Sequence, residues 1–292
     1  MDAAFLQLVF AGLGTGGIYA LIAVGFNIIF KATGALNFAQ GEWVMLGGML
    51  AALAVVRGDA PIWLVTLAAT LAVAVAGWLS DRIVIRPLRQ HGALTITLVS
   101  VGLAIATKSL VMLTLGKNPQ GYAGLSGERV VAIGGAQVNA QTLWIFGITL
   151  VLMAATHLFF AHTRYGIAIR AACANADAAA LMGISRRRVI AASFSIAALF
   201  GGLAGAIITP LTLMSYDSGT VLGFKGFSAA MLGGLGNLYG ALLGGVLLGL
   251  LETLTAGYLT SQFKDGVAFL VLLLILIIRP QGLLGRADVI KV

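Results

Sequence analysis

The chain is 292 residues long, 60% hydrophobic and only 10% charged, against roughly 25% charged in an average soluble domain. This excludes an ordinary soluble globular protein and equally a disordered chain, which lacks the apolar side chains that dominate here. The formal charge of +8 does not point to nucleic acid, because the Lys and Arg residues gather in short gaps between apolar runs and no basic face carries interleaved aromatics. A mean hydropathy of +1.02 and 39 glycines instead describe a polytopic helical membrane protein whose small residues let helix backbones approach closely. The single cysteine, Cys173, excludes a disulfide scaffold and a cysteine-based metal site.

A membrane-crossing helix needs about 20 mostly apolar residues, since its backbone polar groups find partners only within the helix. The first such run, 5–30, is closed by Lys31; it is longer than a signal-peptide core, has no basic residue before it, and is expected to stay as a span. A shorter run covers 42–56, and 61–80 ends at Asp81, Arg82, Arg86 and Arg89. The run 94–115 is interrupted only by Lys108, and 116–141, with Glu128 and Arg129, reads as a long polar loop. Spans follow at 142–161 and 189–214, then a Gly-rich piece at 221–237, a span at 239–259, and a last one ending at Ile278. Basic residues cluster at Arg82, Arg86 and Arg89, at Arg164, Arg170 and Arg186 to Arg188, and at Arg279, Arg286 and Lys291. The positive-inside rule puts all three clusters in the cytoplasm. Alternation then sets the N-terminus and the 116–141 loop outside and the C-terminus inside, with eight or nine spans according to whether 42–56 and 221–237 cross.

An internal echo predicts a repeat. Met45-Leu46-Gly47-Gly48 recurs 186 residues later as Met231-Leu232-Gly233-Gly234, and the same offset pairs Phe38 with Phe224, Gly16 with Gly202 and Ala20 with Ala206. The paired spans run in opposite directions, which is an inverted-topology repeat, and such repeats place the substrate path where their interrupted, Gly-rich segments meet. The expected organisation is one all-α transmembrane domain over 1–292, with a first repeat at about 5–115, a linking span at about 142–161, a cytoplasmic segment at about 162–188 and a second repeat at about 189–280.

The cytoplasmic segment combines a strong helix former, 177–182, with Gly183 as a C-cap and an Arg triplet before the next span. By composition alone it reads either as an interfacial connector whose arginines neutralise anionic lipid or as a docking element. Its residues Tyr165-Gly166, Arg170, Asn175, Asp177-Ala178 and Leu181-Met182-Gly183-Ile184, followed by Phe194, Gly201 and Leu203-Ala204-Gly205, resemble the coupling segment of branched-chain amino acid ABC importer permeases of the LivH type. Four further blocks are similar in the same order: Gly12 with Tyr19-Ala20-Leu21; Gly34 to Glu42; Ala230 to Asn237 with Gly240, Gly244-Gly245, Gly249 and Glu252; and Arg279-Pro280-Gln281-Gly282-Leu283-Leu284-Gly285-Arg286.

The resemblance implies a type II importer-like permease in the bacterial inner membrane, not itself an enzyme. Its partners would be a LivM-like second permease, two cytoplasmic ABC ATPases (LivF-like and LivG-like), and an extracytoplasmic solute-binding protein. No cofactor is expected on this chain, ATP and Mg being held by the ATPases; consistently, its only Gly-Lys pair, Gly116-Lys117, precedes Asn118 and makes no phosphate loop. The ATPase-coupling residues implied are Arg164, Tyr165, Gly166, Arg170, Asn175, Asp177, Met182 and Gly183. The substrate-path candidates are Asn37, Phe38, Gln40, Gly41, Glu42, Lys108, Gly233, Gly234, Gly236 and Asn237. Two of them depart from the family pattern: Gln40 stands where His is common, and Lys108 where a neutral amide is common. Lys108 either snorkels outward or, since a charge at membrane depth points by default to a functional site, attracts a carboxylate on an amino or organic acid. Glu252 is expected to be structural, hydrogen-bonded between helices. His91, His157 and His162 read as interfacial residues without metal-like spacing, and Trp43, Trp63, Trp78 and Trp144 as interfacial belts. The rival reading is an ion-coupled secondary carrier using Glu42, Glu252 and Lys108.

Overall fold

The computed structural model describes residues 3–58, 60–88, 92–127 and 129–285; the expectations for Arg89, His91, Glu128, Arg286 and Lys291 lie outside them. The helices are α1 (Ala3–Thr33), α2 (Gln40–Arg57), α3 (Ile62–Leu88, with a π-helical turn at Asp81–Ile85), α4 (Ala93–Thr114), α5 (Ala140–His162), α6 (Arg164–Ala174), α7 (Ala176–Leu181), α8 (Arg186–Ile208), α9 (Ser218–Gly233), α10 (Leu238–Tyr258) and α11 (Lys264–Ile278). Strands β1 (Val130–Ile133) and β2 (Ala136–Asn139) pair antiparallel.

Among the described residues, six helices, α1, α3, α4, α5, α8 and α10, are long and apolar enough to cross a membrane. The remaining candidates α2, α9 and α11 have 18, 16 and 15 residues, so at about 1.5 Å per residue each falls short of the roughly 30 Å of hydrocarbon. The expected eight or nine spans therefore resolve into six full-length helices and three shorter ones. Helix α8 stops at Ile208 rather than reaching 214, because Pro210 lacks the N–H that would continue the ladder to the Ala206 carbonyl.

Helix α1 is the core. From Gly12 to Ile29 nearly every residue is buried, as expected of a helix apolar on all sides. It packs most extensively on α10 and then on α8, α9 and α5, while α8 packs on α3 and α2. The two halves thus exchange helices: the first helix of each lies against the second and third of the other. The contacts correspond in detail. A Cβ on Gly16 would come 2.8 Å from Val246, and one on Gly202 would come 2.8 Å from Val73; Gly12 adjoins Leu250 as Ala198 adjoins Gly77. Phe38 and Phe224, the pair related by the sequence offset, touch each other with ring centroids 6.4 Å apart. A pseudo-twofold axis therefore passes between them.

After α1 the chain reverses at Gly34, which has φ +71° and needs no Cβ there, and 35–39 run back as buried, non-helical backbone. Such backbone is tolerated at depth only when protein groups satisfy it: the Leu36 and Phe38 N–H groups donate to Thr97 Oγ1 (3.3 Å) and Ser100 Oγ (2.9 Å) of α4. The expected loop at 116–141 holds the β1–β2 hairpin, whose turn residues Gly134 and Gly135 have φ of +57° and +86°, the double positive φ of a type I′ turn. This segment also closes the end of α8: Gln141 Nε2 donates to the Ile207 carbonyl (2.8 Å) and the Tyr122 hydroxyl donates to that of Ala206.

Candidate functional site

A cavity of about 350 Å³ opens beside the Phe38–Phe224 contact, lined by Phe38, Glu42, Val101, Ile105, Lys108, Thr220 and Phe224 among others. Glu42 stands in the first turn of α2, where the helix dipole favours a carboxylate. Its residue is 3% exposed; Oε1 accepts from the Thr220 hydroxyl at 3.1 Å, and Oε2 has no partner. Gly219 makes room for it, since a Cβ there would lie 2.6 Å from Oε2. Half-buried Lys108 reaches in from α4 with its ammonium 5.6 Å from the centre of the Tyr216 ring. Among the described residues no carboxylate lies within 4.0 Å of that ammonium. On the loop before α9, the Asp217 carboxyl is held below its ordinary value chiefly by the Ser215 hydroxyl, with a smaller contribution from Lys108.

Of the other path candidates, Gly41 lies against the Gly219 carbonyl and Gly223, bringing α2 and α9 into backbone contact beside this cavity. Asn37 is buried, with Oδ1 accepting from the Ala39 N–H at 3.3 Å. Gln40 points away from the cavity into the seam with α8, where its Nε2 donates to the Ala197 carbonyl at 2.9 Å between Gly25 and Gly201. The structure places Gly233, Gly234, Gly236 and Asn237 at the α6–α7 end of the bundle. There Asn237 Oδ1 caps α10 through the Tyr239 and Gly240 N–H groups (3.0 and 3.2 Å), and the Leu283 and Leu284 N–H groups donate to the Leu232 and Gly233 carbonyls (2.8 and 3.0 Å). Phe38, Glu42 and Lys108 are brought together; the Gly233–Asn237 group is not.

A second polar cluster went unnoticed in the sequence. Lys225 on α9 is 5% exposed, and its Nζ lies 2.6 Å from Glu252 Oε1 and 2.6 Å from Asp265 Oδ1, while the Tyr19 hydroxyl donates to Glu252 Oε2 at 2.6 Å. Glu252 is thus hydrogen-bonded between helices, as expected. The available signal was a lone lysine in an apolar, Gly-rich piece. Trp43 is also corrected: it is 1% exposed and edges onto Phe194, centroids 6.0 Å apart, because α2 begins inside the protein rather than at a membrane surface. His157 lies near the end of α5, hydrogen-bonded to the Tyr239 hydroxyl at 2.8 Å.

The segment between α5 and α8 folds as two short helices packed against both. Thr163 Oγ1 caps α6 through the Gly166 N–H (3.0 Å), and Asn175 Oδ1 caps α7 through the Asp177 and Ala178 N–H groups (3.1 and 3.0 Å). Gly166 lets α6 turn tightly against the Phe159 carbonyl. Gly183, at φ +80°, ends α7, with the Ile184 N–H donating to the Ala179 carbonyl at 3.0 Å. Ile169, Ala172, Ala179 and Val189 form its own small core. The outer face carries Arg164, Tyr165, Arg170, Asp177, Leu181 and Met182, with Tyr165, Leu181 and Met182 at least 80% exposed. These exposed apolar side chains stand on the same segment as Arg164 and Arg170, the latter donating to the Ala161 carbonyl at 3.3 Å. Cys173, half-buried on the inner side of α6, has its thiol pushed up by burial, partly offset by Lys31.

Residues 8–276 match the sequence family described as the branched-chain amino acid transport system permease component. The chain is 34% identical to the high-affinity branched-chain amino acid transport system permease protein LivH of Salmonella typhimurium, over 99% of this chain and 98% of the relative. The corresponding protein of Escherichia coli K12 is 35% identical with the same coverage. BraD of Pseudomonas aeruginosa, of the same description, is 33% identical over 99% of this chain and 98% of its own.

Proposed function

The chain belongs to the permease components of branched-chain amino acid transport systems, and from that premise we propose that its solute path runs through the cavity lined by Phe38, Glu42 and Lys108. It is a multi-pass permease subunit of an ABC-type importer. The observation that carries the assignment of the path is the position of the cavity at the pseudo-twofold axis, where two short helices of inverted repeats begin. Its mouth lies among the exposed apolar side chains Val101, Ile105 and Phe224. A cavity holding two charges is costly to leave against hydrocarbon, so this face is where a LivM-like second permease closes the other half of the path.

The remaining partners follow from the docking face. Two ATPases, LivF-like and LivG-like, would bind ATP and Mg and receive Tyr165, Leu181 and Met182 in an apolar groove, with Arg164, Arg170 and Asp177 at its rim. An extracytoplasmic binding protein would deliver leucine, isoleucine, valine or a related small solute at the hairpin end. The chain would lie in the bacterial inner membrane with its C-terminus in the cytoplasm. The test is reconstitution of the full complex in proteoliposomes with saturated binding protein. ATP-dependent accumulation of a branched-chain amino acid is expected, and no accumulation of any such solute refutes the reading.

A further inference from the structure

The cavity on the pseudo-twofold axis presents two ionisable side chains of unlike sign, and among the described residues neither has an ion-pair partner within 4.0 Å. Glu42 is buried with Oε2 unpartnered, which is unfavourable for a carboxylate unless a cationic donor completes it. Lys108 lines the same cavity with three N–H donors; the Tyr216 ring lies 5.6 Å away and the Asp217 carboxylate is near enough to feel its charge, but outside ion-pair distance. The walls between are apolar: Phe38, Val101, Ala104, Ile105 and Phe224. The volume of about 350 Å³ admits a small solute with an apolar side chain.

One ligand class satisfies both ends together. Resting on the path proposed above, we infer that Glu42 and Lys108 form a clamp for an α-amino acid zwitterion: its ammonium donates to the Glu42 carboxylate, its carboxylate accepts from Lys108, and its apolar side chain lies against Phe38 and Phe224. A neutral amide or a simple organic acid completes at most one end and leaves a buried charge unpaired. Rejection of a ligand that leaves a built polar partner unpaired is far stronger than rejection by size.

The test measures binding to the assembled complex in nanodiscs without binding protein, following carbon-13 leucine by NMR line broadening. Competitors are 4-methylpentanoate, which lacks the ammonium, and isopentylamine, which lacks the carboxylate. Lys108→Met and Glu42→Gln are each expected to weaken leucine at least tenfold. Each half-ligand should compete in wild type only at concentrations far above those of leucine; Lys108→Met should abolish that residual competition by the acid and spare the amine, Glu42→Gln should do the reverse, and Lys108→Arg should retain leucine binding. Unchanged leucine affinity in both variants, or equal loss of leucine, acid and amine, overturns the clamp. ATP-driven uptake by wild type together with such a result leaves the path standing; absence of uptake by wild type removes the path itself.

Discussion

Lys225 shows how much a single buried charge constrains this protein. Its ammonium joins α9 to Glu252 of α10 and Asp265 of α11, and Glu252 in turn holds Tyr19 of α1. Removing one member of a buried pair leaves the other uncompensated, at a cost of about 3–5 kcal/mol. Lys225→Met is therefore expected to lower the stability of the detergent-solubilised complex by an amount of that order, read from its denaturant midpoint. Lys225→Met with Glu252→Gln should recover much of the loss, because the half-exposed Asp265 keeps its water. This cluster was not legible in the sequence, since its partners lie 27 and 40 residues from Lys225 and periodicity carries no information on which charges meet. Phe38 and Phe224 were legible as a pair, because a repeat offset relates positions directly, and the offset held where the two rings touch.

At the scale of elements, close approach decides. Helices α2 and α8 meet through Gly205, where a Cβ would run into the Val44 carbonyl oxygen, and through Gly47 on Gly202. Overpacking costs typically 1–3 kcal/mol, and the upper end applies where backbone rather than a side chain must yield. Gly205→Val is expected to destabilise by about 3 kcal/mol or more and to abolish recovery of folded complex by size-exclusion chromatography. Gly102→Val on α4, where nothing lies within 4 Å, should be recovered at wild-type yield. Long apolar runs could be read because hydrophobicity alone makes a span. The hairpin was missed although Gly134-Gly135 between Val130, Val131 and Val138 is a recognised signal, because the surrounding Asn, Pro and Gly residues weighed toward loop. On α6, Arg170 lies on the exposed face with its guanidinium donating to the Ala161 carbonyl at 3.3 Å. Arg170→Glu should leave the fold intact, with wild-type elution and melting, and cut uptake at least tenfold while ATP hydrolysis continues. Wild-type uptake in that variant counts against docking through this face.

For the whole molecule, the exchange of helices between halves makes two rigid bodies hard to separate within one chain, so in the importer proposed above alternation of access would fall to movement against a second permease. Val101 reports it. It lines the cavity and is 39% exposed, and Cys173 is the sole native cysteine. In a Cys173→Ser background, Val101→Cys should react with an impermeant maleimide from the hairpin side in one nucleotide state and from the α6–α7 side in the other. Labelling that ignores nucleotide would exclude this cavity from the path.

The burial of α1 also bears on synthesis. This helix leaves the ribosome well before its principal neighbours, α8, α9 and α10. Roughly 150 residues separate the end of α1 from the start of α8, which at 5–20 residues per second is about 8–30 s of translation. Throughout that interval the glycine face at Gly12 and Gly16 is bare in the bilayer, offered to any passing helix. Nascent chains halted before α8 are therefore the form most exposed to membrane proteases and to mispairing.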